Sequence, residues 1–346
     1  MNYSALASKP LFRVLLVTVA LSSGLLIASG SFALNYLRSS LPSASAGIVF
    51  EVRSGSSLAS VNRQLAELGI IEHPQIFGLW ARYQGVADRI KAGEYAVGAG
   101  QSPAQLLADM VAAKTIQYRL TLVEGWTFAQ ALAEIHRNPQ ISKTLTEKSI
   151  EQISHEMGLS VSNPEGLIFP DTYFFTAKTR DLEILRRAND RLEEMLNEAW
   201  EQRLGALPYA SPYEALTMAS IIEKESGASS ERGDIAGVFV RRLELGMRLQ
   251  SDPTVIYGMA DSYEGDIRSA DLRQLTPYNT YRVNGLPPTP IALAGLDSIR
   301  AALNPLSGDA LYFVAKGDGT HYFSSSLEEH NSAVARFQLT EQSRSQ

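Results

Sequence analysis

The stretch Met218–Gly227 (MASIIEKESG) closes a helical pattern on a carboxylate. Ser211, Pro212 and Glu214 supply a helix start, with a Ser N-cap, Pro at the first helical position and Glu three residues after the cap. Ala215, Met218, Ala219 and Ile222 then recur at helical spacing and predict a buried stripe. At about 100° per residue Glu225 falls close to that stripe, Glu223 lies well to its side and Lys224 points nearly opposite. Gly227 is the expected stop. Burial and the negative end of the helix dipole both disfavour a charged Glu225, so its pKa should rise. A carboxyl held protonated near neutral pH can act as a general acid. An arginine partner would have the opposite effect, and Arg232, Arg241 and Arg242 are the available ones.

Three further clusters carry polar groups beside apolar runs. Gln250, Ser251 and Asp252 follow Gly246. Asp252, before Pro253 and an apolar run, reads equally as a helix N-cap, whereas Gln250 has no such explanation and suits a ligand. Tyr278, Asn279 and Tyr281 sit in a Pro-bounded loop, offering flat faces with donors and acceptors, the mixture that sugars present in return. The plain alternative is turn chemistry. In Pro164–Phe175, Glu165 and Asp171 are candidate second carboxylates, although acids beside Gly or Pro usually serve turns. The five histidines form no i, i+4 pair, and there is no H-E-x-x-H, G-x-S-x-G, P-loop or G-x-G-x-x-G. No metal site and no cofactor are expected.

The elements that must position these residues follow from periodicity. Ile48–Arg53 alternates like a strand, Leu58–Leu68 and a stretch from Pro74 read as helices, and Ala92–Val97 reads as a returning strand, giving a small β-α-α-β module. A helix from Ser102, a β run at 117–123 and a helix that Trp126-Thr127 precedes, running to about His136, come next. Residues 137–163 are polar and mixed. Long amphipathic helices are predicted from Asp181 and over 231–245, then a β-hairpin around Lys316–Gly319 and a terminal helix over 328–337.

The 346 residues suffice for two domains, and a net charge of −6 with no basic, aromatic-interleaved patch gives no case for nucleic acid. Cysteine is absent, which excludes disulfides and thiolate chemistry. Val14–Leu37 holds no charge and is long enough to cross a bilayer, which takes about 20 residues. Lys9 and Arg13 before it against Arg38 after it favour an inside N-terminus. A cleaved signal peptide ending at Ala44-Ser-Ala46 is the alternative, but the apolar run is long for one. The expected division is 1–13 cytoplasmic, 14–37 anchor, 38–47 a Ser/Pro/Ala/Gly linker, 48–115 the small module with a connecting helix, and 116–340 a larger α+β domain.

Taken together, Ala219-Ser-Ile-Ile-Glu-Lys-Glu225, Glu231-Arg232, Val238–Leu243, Gly246–Tyr257, Tyr278-Asn-Thr-Tyr281 and Gly285-Leu-Pro-Pro288 resemble the YceG/MltG family of membrane-anchored endolytic murein transglycosylases. Pro164–Tyr173 also fits the family's Glu-Gly and Pro-Asp-Thr-Tyr pattern. Val240-Arg-Arg, where an Asn-Arg pair is common, and Thr289 after the Pro pair depart from it.

The resemblance implies an α+β protein with a transmembrane helix, a LysM-like module over 48–97 and a C-terminal catalytic domain whose acid is Glu225. It implies cleavage of the MurNAc-β-1,4-GlcNAc bond within nascent peptidoglycan strands, leaving 1,6-anhydroMurNAc ends and limiting strand length near peptidoglycan synthases. The domain would face the periplasm from the inner membrane. Ser226, Gln250, Asp252, Tyr278, Asn279 and Tyr281 are the expected substrate-positioning residues. A hydrolytic muramidase and a non-catalytic wall-binding protein are the competing readings, separated from the first by the ends produced.

Overall fold

The computed structural model describes residues 10–42 and 47–339. The chain is a mixed α+β protein that divides between Tyr118 and Arg119 into two compact units. The alternative cleavage site at 44–46 lies outside the described residues, as does most of the expected cytoplasmic segment.

The first unit begins with α1 (Pro10–Arg38), apolar and long enough to cross a membrane. Its last turn does not end free. Tyr36 and Leu37 are buried, the Tyr36 hydroxyl accepts from the His73 N–H at 3.3 Å, and Phe32 and Tyr36 both meet the His73 ring edge-on. The expected linker over 38–47 is therefore fixed at its start. Leu41 is buried in the module's core and its N–H donates to the Gln101 carbonyl at 2.8 Å. A Ser/Pro-rich composition suggested slack, but one apolar side chain with a place in the core outweighs it.

Beyond it, β1 (Val49–Val52), α2 (Leu58–Glu67), α3 (Pro74–Tyr83) and β2 (Gly93–Ala96) follow in the β-α-α-β order, with β1 and β2 antiparallel and Phe50 opposite Tyr95. Val61 and Leu65 of α2, Phe77 and Ala81 of α3, and Leu106, Leu107 and Met110 of α4 (Pro103–Val111) fill the core between them. Ser57 caps α2, and Ser102 with Gln105 forms a capping box on α4.

The second unit pairs β3 (Tyr118–Thr121), whose first residue lies at the division, with a later strand, β4. Between them run α5 (Phe128–Arg137) and α6 (Ile150–Met157), then β4 (Thr172–Phe175) itself. Sequence periodicity left 137–163 without an element. Yet α6 is well specified, by a Ser149/Gln152 capping box and a left-handed Gly158 at its end.

Next come α7 (Asp181–Glu201), α8 (Pro212–Glu225), α9 (Arg232–Glu244), α10 (Asp252–Met259) and α11 (Leu296–Leu303). They precede a hairpin of β5 (Tyr312–Ala315) and β6 (His321–Ser324), and α12 (Leu327–Val334). α11 was not read from the sequence, although Ile299, Ala302 and Leu303 are spaced for it.

α8 is the axis of this unit. The sequence predicted one buried stripe, but every residue from Ala215 to Ile222 is buried. α7, α9 and α11 all pack on α8, which leaves its middle, 215–222, no solvent face. Two polar residues tolerate this by local hydrogen bonds. Thr217 donates to the Tyr213 carbonyl, and Ser220 donates to that of Thr217 while accepting from the Ile291 N–H at 3.0 Å.

Candidate active site

α8 ends on Glu225, with Ser226 as an extended C-cap. Gly227 was the expected stop, but it has no left-handed backbone, and the chain leaves the helix one residue earlier. Glu214 reaches back at the other end, accepting from the Ala210 N–H at 2.6 Å rather than closing a box on Ser211.

Glu225 lines a cavity of about 510 Å³ together with Arg242, Gln250, Asp252, Tyr281, Tyr312 and His330. Burial pushes its carboxyl up to about 7. The hydroxyl of Ser251, donating to Glu225 Oε1 at 2.6 Å, works in the opposite direction; the charge of Asp252 raises the value again and that of Arg242 lowers it. The helix C-terminus adds to the resistance to ionisation.

No described arginine forms a salt bridge with Glu225. Arg232 takes Glu223 instead, at 3.2 Å, and Glu223 also accepts from the Gly295 N–H and the Ser298 hydroxyl. Arg241 donates to the carbonyls of Leu306 and Ala310. Arg242 spends its guanidinium on the carbonyls of Leu311 and Leu249 at 2.6 and 2.8 Å. It thus stands in the cavity wall as a fixed positive charge without holding the acid ionised.

The turn after α9 sets the polar edge. Gln250 adopts φ +53°, unusual for a non-glycine residue, its N–H donates to the Thr280 carbonyl, and its side chain stays exposed beside Arg242. Ser251, not Asp252, occupies the N-cap of α10. Asp252 is exposed and accepts from the Tyr281 hydroxyl at 2.7 Å. Thr280, fully buried, donates its hydroxyl to this region and accepts from the Ser251 N–H at 3.0 Å. The loop carrying Tyr281 is thereby fastened to the turn carrying Ser251.

The residues expected from the sequence thus fall into two groups. Glu225, Gln250, Asp252 and Tyr281 share one cavity. Ser226, Tyr278 and Asn279 do not line it. The Ser226 hydroxyl donates to the Ala228 carbonyl at 2.7 Å. Asn279 is 1% exposed, and its amide donates to the carbonyls of Asp271, Leu272 and Gln274 while its oxygen accepts from the Tyr281 N–H. Its physical role is to fold the loop that presents Tyr281. Tyr278 packs edge-on against Tyr257 and lines a different cavity.

The rest of the wall came from residues that sequence reasoning missed. β5, β6 and α12 contribute Tyr312, Phe313, His321, His330 and Asn331. The hairpin is held by Glu231, which accepts from the His321 N–H and sits 2.8 Å from its ring nitrogen. His330 stacks on Tyr312, and its Nδ1 is buried with no hydrogen-bond partner. The hairpin itself was legible, but nothing local said which cavity it would close.

Of the two candidate second carboxylates, Asp171 is exposed and accepts from the Thr172 N–H, whereas Glu165 is 4% exposed. Glu165 Oε1 accepts from the N–H groups of Phe128 and Gly166 at 2.9 and 3.2 Å, and Oε2 from the Tyr257 hydroxyl at 3.2 Å. Gly166 has φ +74°, and a Cβ there would meet Pro290 at 2.3 Å, so only glycine fits beside this carboxylate.

A YceG-like family profile matches residues 50–336. The endolytic murein transglycosylase of Bacillus subtilis is 32% identical, with 83% of each chain covered. That of Streptococcus pneumoniae serotype 2 is 29% identical over 90% of this chain, which spans 63% of that relative's length. A crystal structure of a yceG-like protein from Listeria monocytogenes matches with a TM-score of 0.53 at 30% identity, covering 83% of this chain and 99% of that one. The extent of the profile, over both units and through the Glu225 cavity, places the chain in the YceG-like family.

Proposed function

We propose that this protein is an endolytic murein transglycosylase of the lytic kind, with Glu225 as its single acid and base. The observation that carries this reading is a half-buried carboxyl, free of any described arginine salt bridge, raised to about 7 and open to a cavity lined by polar and aromatic groups. The names of the relatives from Bacillus and Streptococcus support it.

In this scheme the protonated Glu225 gives its proton to the oxygen between N-acetylmuramic acid and N-acetylglucosamine as the bond from C1 to that oxygen breaks. The C6 hydroxyl of the muramic acid then attacks C1, and Glu225, now a carboxylate, takes the hydroxyl proton. A 1,6-anhydromuramyl end forms and the acid is restored. One carboxyl serves both steps because the nucleophile belongs to the substrate, whereas most glycoside hydrolases need two. Arg242, Gln250, Asp252 and Tyr281 border the space where the sugars would lie. Ser226 and Asn279 act through the chain they shape, and Tyr278 through the second cavity described below.

α1 anchors the enzyme in the inner membrane with the rest of the first unit and the second unit on the periplasmic side, and residues 48–115 form a LysM-like module. There the enzyme meets strands as the peptidoglycan synthases release them, and its cuts end their elongation. Asp252, on the same cavity, gives a specific alternative: with water between it and C1 it would act as the base of a hydrolase. Digestion of purified glycan strands with mass spectrometry of the new ends separates the two. Anhydromuramyl ends from the wild type and almost none from a folded Glu225→Gln protein are expected; reducing ends would replace the proposed reaction with hydrolysis.

A further inference from the structure

A second cavity, of about 710 Å³, opens on the other side of α10 and the 276–281 loop. Asn163, Glu165, Tyr257, Tyr263, Tyr278 and Gln130 line it. The two cavities share a partition. On α10, Asp252 borders the first and Tyr257 the second. Five residues of helix separate them, about 7.5 Å of rise. On the loop, Tyr281 borders the first and Tyr278 the second. The partition is tightly built. The Tyr257 and Tyr278 rings meet edge-on at 4.8 Å, and a Cβ on Gly258 would lie 3.1 Å from both Tyr278 Cβ and Thr276 Oγ1.

The lining has the character that a saccharide needs. Three tyrosines give flat faces, while Asn163 and Gln130 carry amides and Glu165 holds the Tyr257 hydroxyl in place. Asn163 Nδ2 approaches the Tyr257 hydroxyl at 3.5 Å, and that hydroxyl is bonded in turn to Glu165, so these three groups form one connected set. Burial pushes the Glu165 carboxyl up to about 7, so this wall carries less negative charge at neutral pH than an ordinary carboxylate would give it.

An enzyme that cuts inside a strand must hold sugars on both sides of the bond, so the polymer has to run on past the acid. We propose that the cavity bounded by Asn163, Glu165, Tyr257 and Tyr278 is a second saccharide site, which takes N-acetylated sugar units of the same strand whose scissile bond lies at Glu225. This rests on the proposed reaction for the identity of the strand, but the site is tested by binding alone.

The test uses full-length Glu225→Gln protein, which should bind strands without cutting them, and soluble peptidoglycan glycan strands as the probe. Titration calorimetry compares it with the same protein carrying Tyr263→Ala or Tyr257→Phe, and thermal melts confirm that each is folded. Tyr263→Ala should weaken strand binding about tenfold, the loss of one aromatic contact of ~1.4 kcal/mol, and Tyr257→Phe by a few-fold. Hydrogen exchange on the Glu225→Gln protein should show strand-induced protection at 127–130 and 256–263, a readout that needs no change to the cavity. No measurable binding, or binding without this protection and unaffected by either substitution, overturns the proposal. If strands bind in this manner but the wild type makes no anhydro ends, the reaction assignment fails and the second site stands.

Discussion

Two cavities in the second unit each hold a glutamate pushed up to about 7, Glu225 half-buried and Glu165 buried, and their surroundings differ in kind. Glu225 stands at the C-terminal end of α8 and receives one hydrogen bond, from a side-chain hydroxyl. Glu165 stands at the N-terminal end of α5, where Phe128 is the first helical residue, and receives two backbone N–H groups and a phenol. A helix N-terminus favours a carboxylate and a C-terminus opposes one. Burial raises both, against one hydrogen bond at Glu225 and three at Glu165, so a raised carboxyl does not by itself mark an acid. What separates the two is commitment. Both Glu165 oxygens serve as fixed acceptors that pin α5 to α10, whereas described hydrogen bonds to Glu225 occupy Oε1 alone.

The sharpest break of this comparison is Glu225→Gln. Removal of a general acid and base should lower the rate of strand cleavage about 10³-fold while leaving the melting temperature close to that of the wild type. If Glu165→Gln causes the larger loss of turnover, the roles of the two carboxyls are reversed.

A third glutamate serves as a control. Glu223 lies two residues before Glu225 but is held by Arg232, with both side chains largely buried. Arg232→Ala should cost about 3 kcal/mol of stability in urea unfolding, since it strands a buried charge. A cost below ~1 kcal/mol would show that Gly295 and Ser298 satisfy Glu223 unaided.

Glu165→Gln has a signed consequence for pH dependence. The wild-type carboxyl titrates near 7 when folded and near 4.5 when unfolded. Its protonated form stabilises the native state below 4.5, and that stability is lost as pH rises through 7. The variant should remove about 2–3 kcal/mol of decline between pH 4.5 and 8, read from unfolding at several pH values. A wild type with no such slope would place the Glu165 carboxyl lower than its burial implies.

The smallest effect is expected at Ser251. Its hydroxyl favours the ionised form of Glu225, so Ser251→Ala should move the alkaline fall of kcat/KM upward from about 7 by ~0.5–1 pH unit. A downward movement would mean that the hydroxyl accepts from the acid instead of donating to it.

The helical phase of 215–225 placed Glu225 close to the buried stripe and Glu223 to its side, yet the Glu223 side chain is largely buried too, against Arg232 and the start of α11. The phase did not tell which arginine would choose which glutamate. Arg232 was within reach of either in sequence terms, and α11 decided the matter by bringing Gly295 and Ser298 to Glu223. Polar composition marked the 250–252 and 278–281 segments, but composition carries no direction. Asn279 turned into its own loop, and Ser251, grouped with its neighbours and not singled out, became the partner of the acid. The hairpin and α12 were visible as elements; their place over the cavity depends on the packing of chain far apart in sequence, for which no local pattern exists. α6 was missed for a different reason. Its caps are clear, but only Ile153, Ser154 and Met157 are buried, too few to print a stripe.

The burial of Tyr36 and Leu37 in the first unit bears on how freely that unit can travel. A flexible tether lets its cargo sweep a volume set by chain length. Here the cargo grips the rod directly, so with α1 in a bilayer the remaining freedom is the lean of one stiff helix. In the proposed anchored form the small β-α-α-β body would then skim the lipid face as a float does on a short keel.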